Sequence, residues 1–395
     1  MKIAIQFGAG NIGRGLMGQL FFESGYQIIF IDTNKNLISL LNERGSYTLK
    51  LLDAYKKKAF YLDIDRFTAY HIYEDSEKIV DLIASSSIMS TAVGVGNLEN
   101  IAETIATGLK KRMEKNSQPL NIYLCENLYE APKILKDNVE KFLNKKEKEW
   151  IHSNIGFVGM SVARMVPSSD IKSGEEDPLL VVADSYHKLP FDKKAVKGEM
   201  PDVEGMIPVE NFKAEVERKL YTHNLGHAAC AYLGYLKGYT YIHETFNDSY
   251  ITSIFENALN ETSTALIKTY PNDFTPEDQN WVLKDVKIRF SNPLLKDQVC
   301  RVARDPIRKL GPTDRLIGSA KLCLSQGIFP SNIAIICGAA LNYDYKEDQK
   351  AMELQKLIKT YGIPHVLRKI CNIDPESEFG KAIEESYRST RKLKL

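Results

Sequence analysis

The sequence predicts an α/β domain with a mainly parallel sheet, followed by a mostly α-helical domain. Three observations support this fold class. Short β-rich runs alternate with helical patterns up to about Tyr186, a glycine-rich turn follows the first of these runs, and beyond Val209 apolar residues recur at helical spacing. Alternating strands and helices are typical of βαβ units, whose strands lie parallel.

The N-terminal half contains four candidate strands, each followed by a candidate helix. The strands cover residues 2–7, 27–31, 88–92 and 121–125, and the helices begin near residues 12, 36, 98 and 128. Residues 47–52 and 59–64 alternate apolar and polar side chains, which predicts an antiparallel insertion into this pattern.

A stretch rich in proline, glycine and charge, residues 188–208, separates the two halves. These residue types favour turns and loops, and the β-rich runs nearly disappear after them. Farther on, as in residues 251–259, apolar side chains recur every three or four positions, which is the spacing of one helix face. We therefore expect one domain over residues 1–197 and a helical domain over residues 198–395.

Lysine and arginine, 52 in all, balance 51 aspartates and glutamates, which leaves a formal net charge of +1. No global field therefore favours nucleic acid or an anionic membrane. No apolar run approaches the length that spans a bilayer, and the N-terminus leads directly into a strand pattern. The composition predicts a cytoplasmic protein that binds neither nucleic acid nor membrane.

The cysteines are scattered and include no C-x-x-C pair. They are Cys125, Cys230, Cys300, Cys323, Cys337 and Cys371. Mostly apolar neighbours favour buried free thiols over structural zinc. The pattern also weighs against a zinc-dependent alcohol dehydrogenase, which needs clustered Cys and His ligands.

The run FGAGNIGRG places Gly8, Gly10 and Gly13 in G-x-G-x-x-G spacing between a strand and a helix. In a Rossmann-type domain such glycines allow a tight turn, close approach to a pyrophosphate, and close helix packing. The second strand ends at Asp32, 19 residues after Gly13, where a carboxylate accepts hydrogen bonds from the adenine ribose and repels a 2′-phosphate. This predicts NAD rather than NADP. The alternative is a plain tight turn and an aspartate that caps the next helix.

A second loop, residues 91–94, follows the third strand where such folds present backbone to the cofactor. An ordinary strand-to-helix turn fits this loop equally well. The predicted cofactor-binding residues are Phe7, Gly8, Ala9, Gly10, Asn11, Ile12, Gly13, Asp32, Thr91, Ala92, Val93 and Gly94.

The run RKLYTHNLGH carries Lys219, Asn224 and His227 on one predicted helix. At about 100° per residue, the second and third lie about 140° and 80° from the first around the helix axis, so one face presents all three. The apolar residues that follow indicate a buried helix, and burial lowers the pKa of a lysine toward neutrality. Such a lysine can take the proton of an alcohol during hydride transfer, while the amide and imidazole steady the oxygen. A surface lysine, a capping asparagine and a core histidine are the alternative.

These motifs, together with CEN at residues 125–127, make the chain resemble the polyol-specific long-chain dehydrogenases over nearly its whole length. The resemblance implies metal-independent hydride transfer between NAD and a polyol or sugar phosphate, with Lys219 as the base. It implies that Asn224 and His227 contact the substrate oxygen, together with Asn127 at a strand end. It also favours a monomer. An asparagine that caps the following helix is the alternative for Asn127.

One position departs from the family pattern. Where related proteins carry V-D-R, this chain has Val162, Ala163 and Arg164, so a carboxylate is missing. This leaves open a related reductase of non-phosphorylated polyols, ketoses or hexuronates. A cofactor-binding protein that has lost its chemistry is a third hypothesis, against which the retained lysine, asparagines and histidine argue.

The run RVARDPIRK is unusually basic for a neutral protein. The candidates for substrate and phosphate binding are Arg301, Arg304, Arg308 and Lys309. Arginine binds phosphate oxygens in a bidentate manner, so this run is the predicted phosphate site. The resemblance assigns substrate contacts to Arg301 and Lys309, whereas the other two are additional charges. A solvated basic face is the alternative for those two.

Overall fold

The computed structural model describes residues 2–115, 118–167 and 177–394. The chain divides into two compact units, Met1–Glu215 and Val216–Leu395. The boundary between residues 197 and 198 stays a prediction about the functional division of the chain. No helix in the described ranges is long and apolar enough to cross a membrane.

The first unit is built on a parallel sheet with helices in the connections. Its strands are β1 (Ile3–Phe7), β2 (Gln27–Asp32), β3 (Tyr47–Asp53), β4 (Lys58–Ile64), β5 (Phe67–His71), β6 (Ile88–Thr91), β7 (Leu120–Leu124), β8 (Ile155–Gly159), β9 (Val181–Asp184), β10 (Leu189–Asp192) and β11 (Met206–Val209). Its helices are α1 (Gly18–Glu23), α2 (Lys35–Arg44), α3 (Ser76–Ser85), α4 (Leu98–Lys115), α5 (Ala131–Glu140) and α6 (Lys145–Asn154).

Six strands form the main sheet in the order β5-β2-β1-β6-β7-β8, and each neighbouring pair is parallel. This is the 3-2-1-4-5-6 order of the Rossmann fold, in which ligands lie at the carboxyl ends of the strands where the order reverses. The reversal falls between β1 and β6. The predicted parallel α/β domain is confirmed.

The sheet is covered by apolar side chains on both faces. Along β1 and β2, Ala4, Ile28 and Phe30 belong to one buried cluster, whereas Ile5 and Ile29 belong to another. Successive side chains of a strand point to opposite faces, so a strand buried on both sides reads as a continuous apolar run.

The predicted antiparallel insertion is confirmed by β3 and β4, which pair antiparallel with Tyr47 opposite Ile64. The linker-like stretch contains more structure than expected, because β10 and β11 pair within it. Leu189 and Phe191 of β10 are buried in the core of the first unit. Proline and glycine content alone does not reveal such long-range pairing.

The second unit is helical, as predicted. Its helices are α7 (Phe212–Lys219), which begins in the first unit, α8 (Leu225–Leu236), α9 (Ser249–Thr269), α10 (Pro276–Phe290), α11 (Val299–Ala303), α12 (Pro306–Lys309), α13 (Ile317–Ser325), α14 (Ser331–Leu341), α15 (Gln349–Tyr361), α16 (Ile363–Val366) and α17 (Glu378–Thr390). Helix α8 is buried almost throughout, which its run of alanine, cysteine, leucine and glycine permits. A π-helical turn, Leu220–Asn224, connects α7 to α8.

Candidate active site

The glycine loop after β1 is shaped by two close backbone approaches. Gly8 has φ of 89°, and a Cβ atom there would lie 2.5 Å from the carbonyl oxygen of Ala92. A Cβ atom on Gly13 would lie 1.8 Å from the carbonyl oxygen of Gly8. Neither position has room for a side chain, so both glycines are required by the turn itself.

Gly10 differs from the other two, because a Cβ atom there would meet no atom within 4 Å. The space beside the Gly10 backbone is therefore not filled by other atoms of the protein. A pyrophosphate that approaches the loop needs such an opening.

The loop is also held by Arg14, which is buried. Its Nε donates to the carbonyl oxygen of Ala9 at 2.7 Å, and its Nη1 donates to that of Leu179 at 2.8 Å.

Asp32 ends β2 beside this loop. Its Oδ2 accepts a hydrogen bond from the amide of Ala9 at 2.7 Å, and its Oδ1 accepts one from the amide of Asn34 at 2.9 Å. The cap of α2 is the Asn34 side chain, which accepts from the amide of Leu37 at 3.1 Å. The alternative that Asp32 caps the helix is therefore wrong.

A cavity of about 410 Å³ opens at this edge of the sheet. Six predicted cofactor residues line it, namely Phe7, Gly8, Gly10, Asp32, Ala92 and Val93. The remaining lining residues were not predicted, and they are Ile31, Thr33, Ile72, Tyr73, Asn97, Asn100 and Ile101. Ala9, Asn11, Ile12, Gly13, Thr91 and Gly94 do not line it. Two of the unpredicted residues follow β5, a strand that the sequence pattern did not reveal.

A buried carboxylate supports the second loop. Glu126 accepts hydrogen bonds from the hydroxyl of Thr91 at 2.7 Å and from the amide of Val93 at 3.1 Å. Burial raises the pKa of Glu126, and these hydrogen bonds to the charged form oppose that shift. Glu126 was not predicted as a site residue, although it is the middle letter of the CEN motif.

Asn127 follows Glu126 beyond the end of β7 and is exposed. The predicted helix start near residue 128 is wrong, because α5 begins at Ala131 and its N-cap is Glu130. Tyr129 and Glu130 form a turn before the helix, and Pro132 stands in the first turn of the helix. Asn127 therefore does not cap α5.

The π-helical turn begins directly after Lys219 and ends at Asn224, so these residues do not lie on one continuous α-helix as predicted. The turn is closed by the amide of Leu225, which donates to the carbonyl oxygen of Leu220. Residues five apart follow one another along the axis of a π-helix, so the turn moves Asn224 toward the face of Lys219. Single π turns inside α-helices are frequent at functional sites.

The amine of Lys219 has a pKa lowered to about 7. Burial is the largest cause, and the positive charges of Arg315 and Arg308 lower the pKa further, while Asp314 opposes them. A lysine with this pKa exchanges protons near neutral pH, as a general acid or base requires. The side chain is half-buried.

His227 is held by a carboxylate that the sequence did not identify. Its Nε2 lies 2.9 Å from Oδ2 of buried Asp297, and its ring stacks on Phe290 with centroids 4.4 Å apart. Oδ1 of Asp297 accepts from Nε of Arg301 at 2.7 Å. Burial lowers the pKa of His227, which Asp297 opposes, so the imidazole is neutral with Nε2 as its donor.

Two polar nitrogens in this region are buried without a hydrogen-bond partner among the described residues. They are Nδ2 of Asn224 and Nδ1 of His223. A buried amide nitrogen is costly to leave unpaired, and functional sites are where such groups persist. Asn224 therefore has a donor available for a ligand.

The residues of the basic run differ in their burial and in their partners. Arg308 pairs with Asp305 at 3.2 Å and with Asp314 at 2.9 Å, and buried Lys309 donates to the carbonyl oxygen of Arg304. Burial lowers the pKa of Lys309 well below its ordinary value. Arg304 is exposed and forms no ion pair with the residues that the structure describes.

The position that departs from the family pattern, Ala163, is half-buried. Arg164 beside it is buried and donates to the carbonyl oxygens of Tyr186 and Gly15, each at 2.6 Å, and to the side chain of Gln19 at 2.7 Å. This arginine therefore links the segment before β10 to the residues that follow the glycine loop. In the described part of the chain, no group of three or more His, Cys, Asp or Glu side chains could hold a metal ion.

The sheet order, the glycine loop and the carboxylate at the end of β2 define a dinucleotide-binding dehydrogenase fold. Comparison with known proteins is more specific. The chain belongs to the mannitol dehydrogenase family, since the Rossmann-domain model of that family matches residues 2–205 and its C-terminal-domain model matches residues 209–389. The resemblance inferred from the motifs is confirmed.

Curated relatives cover nearly the full length. Mannitol-1-phosphate 5-dehydrogenase of Bacillus licheniformis is 38% identical over 96% of this chain and 98% of the relative. The enzyme of the same name from Thermoanaerobacter pseudethanolicus is 38% identical over 99% of this chain and 98% of the relative.

Solved structures share the fold at low identity. A ternary complex of Pseudomonas fluorescens mannitol 2-dehydrogenase with NAD and D-mannitol aligns with a TM-score of 0.78 at 18% identity, over 99% of this chain and 92% of that one. Substrate-free D-sorbitol dehydrogenase aligns with a TM-score of 0.79 at 18% identity, with the same coverage.

Proposed function

We propose that this protein is an NAD-dependent oxidoreductase that interconverts D-mannitol 1-phosphate and D-fructose 6-phosphate without a metal. The observation that carries the proposal is the membership of both halves of the chain in the mannitol dehydrogenase family, and the lowered pKa of Lys219, about 7, is consistent with its role as the base. The names of its full-length relatives support a phosphorylated polyol as substrate.

The proposed cofactor site is the glycine loop, Asp32 and the loop over residues 91–94. The open backbone at Gly10 fits a pyrophosphate, and Asp32 fits an adenine ribose that lacks a 2′-phosphate. NAD supplies the acceptor of a hydride when it is bound. The twelve residues predicted from the sequence remain the proposed cofactor contacts, together with the cavity residues beyond β5 and at the start of α4.

In oxidation, neutral Lys219 takes the proton of the reacting hydroxyl as the carbon loses its hydride. In reduction, the protonated lysine returns a proton to the carbonyl oxygen. Asn224, whose Nδ2 is buried and unpaired among the described residues, donates to this oxygen as its charge develops. Asn127 is proposed as a second donor to the same oxygen.

His227 is proposed to orient the substrate rather than to transfer its proton. Because Nε2 donates to Asp297, Nδ1 is an acceptor for a neighbouring substrate hydroxyl. The proposed phosphate end lies at the basic run that contains Arg301, Arg304, Arg308 and Lys309.

Replacement of the lysine tests the mechanism. We expect Lys219→Ala to lower kcat by about 10² to 10⁴-fold while the Kd for NADH stays unchanged. Lys356→Ala, which removes an exposed lysine of α15, is the control. Turnover in Lys219→Ala equal to that of the control would remove Lys219 from the mechanism.

One observation favours a second function, the reduction of a non-phosphorylated ketose or a hexuronate. Arg301, Arg308 and Lys309 already have partners within the protein, so these cations do not require a phosphate. NADH oxidation with fructose 6-phosphate, fructose and a keto-hexuronate distinguishes the two functions. We expect kcat/KM to favour fructose 6-phosphate by at least about 100-fold. Equal values for fructose would support the second function.

A further inference from the structure

Four basic side chains of the second unit lie close enough to influence one another, together with two carboxylates. The pKa of Lys219 is affected by Arg315, Asp314 and Arg308, and that of Lys309 by the same three charges and by Asp305. Two lysines and two arginines thus lie near two carboxylates. Of the basic groups, the two arginines stay charged throughout the physiological pH range, so they are the ones available to bind an anion.

Arg315 is a buried member of this cluster with unused donors. It is only 7% exposed. Its Nε donates to Oδ1 of Asp314 at 2.8 Å, and its amide donates to the same oxygen at 2.6 Å. Its two terminal nitrogens, Nη1 and Nη2, form no hydrogen bond with the described residues. A buried arginine ordinarily uses its donors, so this pair of nitrogens is suited to an anion with two oxygens.

Asp314 holds the guanidinium in place. One of its oxygens contacts Arg315 and the other lies 2.9 Å from Nη1 of Arg308. Burial alone would raise the pKa of Asp314, but Arg315 holds it below its ordinary value, so the carboxylate is charged near neutral pH. Because Asp314 contacts Nε of Arg315, the two terminal nitrogens of the guanidinium stay available for a ligand.

The arginines of the basic run are less suited to the same role. Arg301 contacts Asp297 through Nε and Nη2, and Arg308 is divided between two carboxylates. Arg304 is exposed, and an exposed cation gains little from an ion pair because water screens it.

We propose that Arg315 binds the phosphate group of the substrate through Nη1 and Nη2, and that Asp314 is the residue that positions it. This inference rests on the proposed function and names a phosphate ligand outside the basic run. Because Arg315 also contributes to the lowered pKa of Lys219, a bound phosphate dianion offsets part of that effect. Phosphate recognition and proton transfer are thereby coupled through one guanidinium.

Steady-state kinetics of Arg315→Met and Arg315→Lys with two substrates test this inference. For Arg315→Met, we expect the KM for fructose 6-phosphate to rise about 100-fold, because a buried hydrogen-bonded charge pair is lost. We expect Arg315→Lys, which keeps the charge but not the two-pronged geometry, to raise it about 10-fold. The kcat/KM for unphosphorylated fructose, at the optimal pH of each variant, should change less than about three-fold. Arg388→Met removes an exposed arginine of α17 and is the control.

A binding measurement separates this inference from the proposed function. Calorimetric titration of the wild-type protein and of each variant with inorganic phosphate, in the presence of NADH, does not depend on turnover. We expect phosphate to bind the wild type and Arg388→Met, and to bind Arg315→Lys more weakly. Wild-type binding of phosphate without reduction of fructose 6-phosphate would refute the proposed function alone.

Three outcomes overturn the assignment of Arg315. The first is equal phosphate affinity in the wild type and Arg315→Lys, which is expected to fold because its charge is retained. The second is an equal rise in KM for fructose and fructose 6-phosphate. The third is a larger selective loss in Arg304→Met than in Arg315→Met. Asp314→Asn should reproduce part of the Arg315→Lys effect, because the guanidinium loses the carboxylate that positions it.

Discussion

His227 and Asp297 form a buried pair in which Nε2 of the histidine lies 2.9 Å from Oδ2 of the carboxylate. The other carboxylate oxygen accepts from Nε and Nη2 of Arg301 at 2.7 and 2.5 Å. One aspartate thus fixes the tautomer of the histidine and the orientation of the arginine. Both were predicted to contact substrate, whereas the aspartate that arranges them was not predicted.

We expect Asp297→Asn to lower kcat/KM by about 10 to 100-fold, because an amide in place of the carboxylate weakens control of the tautomer and leaves Arg301 without its counter-ion. Steady-state kinetics on both directions of the reaction measure the change. Asp344→Asn, which alters a partly exposed carboxylate paired with Lys394, is the control. Kinetics indistinguishable from that control would mean that Asp297 does not act through His227.

The pKa of Lys219, about 7, predicts opposite pH dependence for the two directions. Oxidation needs the neutral amine, so its rate should rise as the pH passes upward through about 7. Reduction needs the charged amine, so its rate should fall over the same range. Profiles of kcat/KM from pH 5 to 9 with each substrate measure this, and parallel profiles in the two directions would contradict the role.

The same pKa has a consequence for stability. Because the folded-state pKa of Lys219 lies below the ordinary value of 10.5, the unfolded chain binds more protons between these values, and stability rises with pH across that window. Below the folded pKa the charged amine is destabilising. Lys219→Met should therefore be more stable than the wild type below pH 7, with the difference vanishing above about pH 10.5. Urea unfolding at several pH values measures it, and a difference that does not vary with pH would contradict this account.

Two glycines of the cofactor loop should respond differently to alanine. Gly13→Ala places Cβ 1.8 Å from a carbonyl oxygen, so it should destabilise the fold by several kcal/mol, as overpacking does. Gly10→Ala meets no protein atom within 4 Å, so its thermal stability should stay near wild type while NADH binding is lost. Thermal unfolding and NADH titration of both variants test the pair, and unimpaired NADH binding by Gly10→Ala would move the pyrophosphate elsewhere.

Asp32 should decide between the two nicotinamide dinucleotides. Asp32→Asn keeps an oxygen for the amide of Ala9 but removes the charge, so the ratio of kcat/KM for NAD to that for NADP should fall about 10-fold or more. Asp65→Asn, at an exposed position, is the control. An unchanged ratio would show that Asp32 holds the glycine loop but does not select between NAD and NADP.

The sequence was sufficient where local pattern and structure coincide. Strands β1, β2, β6 and β7 lie within one or two residues of their predicted positions, because a parallel strand buried on both faces is a continuous apolar run. The glycine spacing predicted a tight turn. The structure shows why Gly8 and Gly13 are needed there, since a Cβ atom at either position would clash with backbone atoms. Strands β5 and β8 were missed, since short strands without a distinctive pattern resemble loops.

The site depended on contacts that sequence spacing does not reveal. The sequence pattern predicted a regular α-helix through residues 218–227, yet the segment from Leu220 to Asn224 forms a π turn. Such a turn is stabilised by packing around it rather than by the propensities of its own residues.

The chain sequence by itself determined the fold class, the family and the chemical types available, because these follow from periodicity, glycine spacing and polar residues at fixed intervals. Only the tertiary structure decided which charges meet. Asp297 reaches His227 across 70 residues, Glu126 reaches Thr91 across 35, and Arg315 influences Lys219 from a distant segment of the chain. Electrostatic interactions depend on distance and burial in space, and neither can be read from separation along the chain.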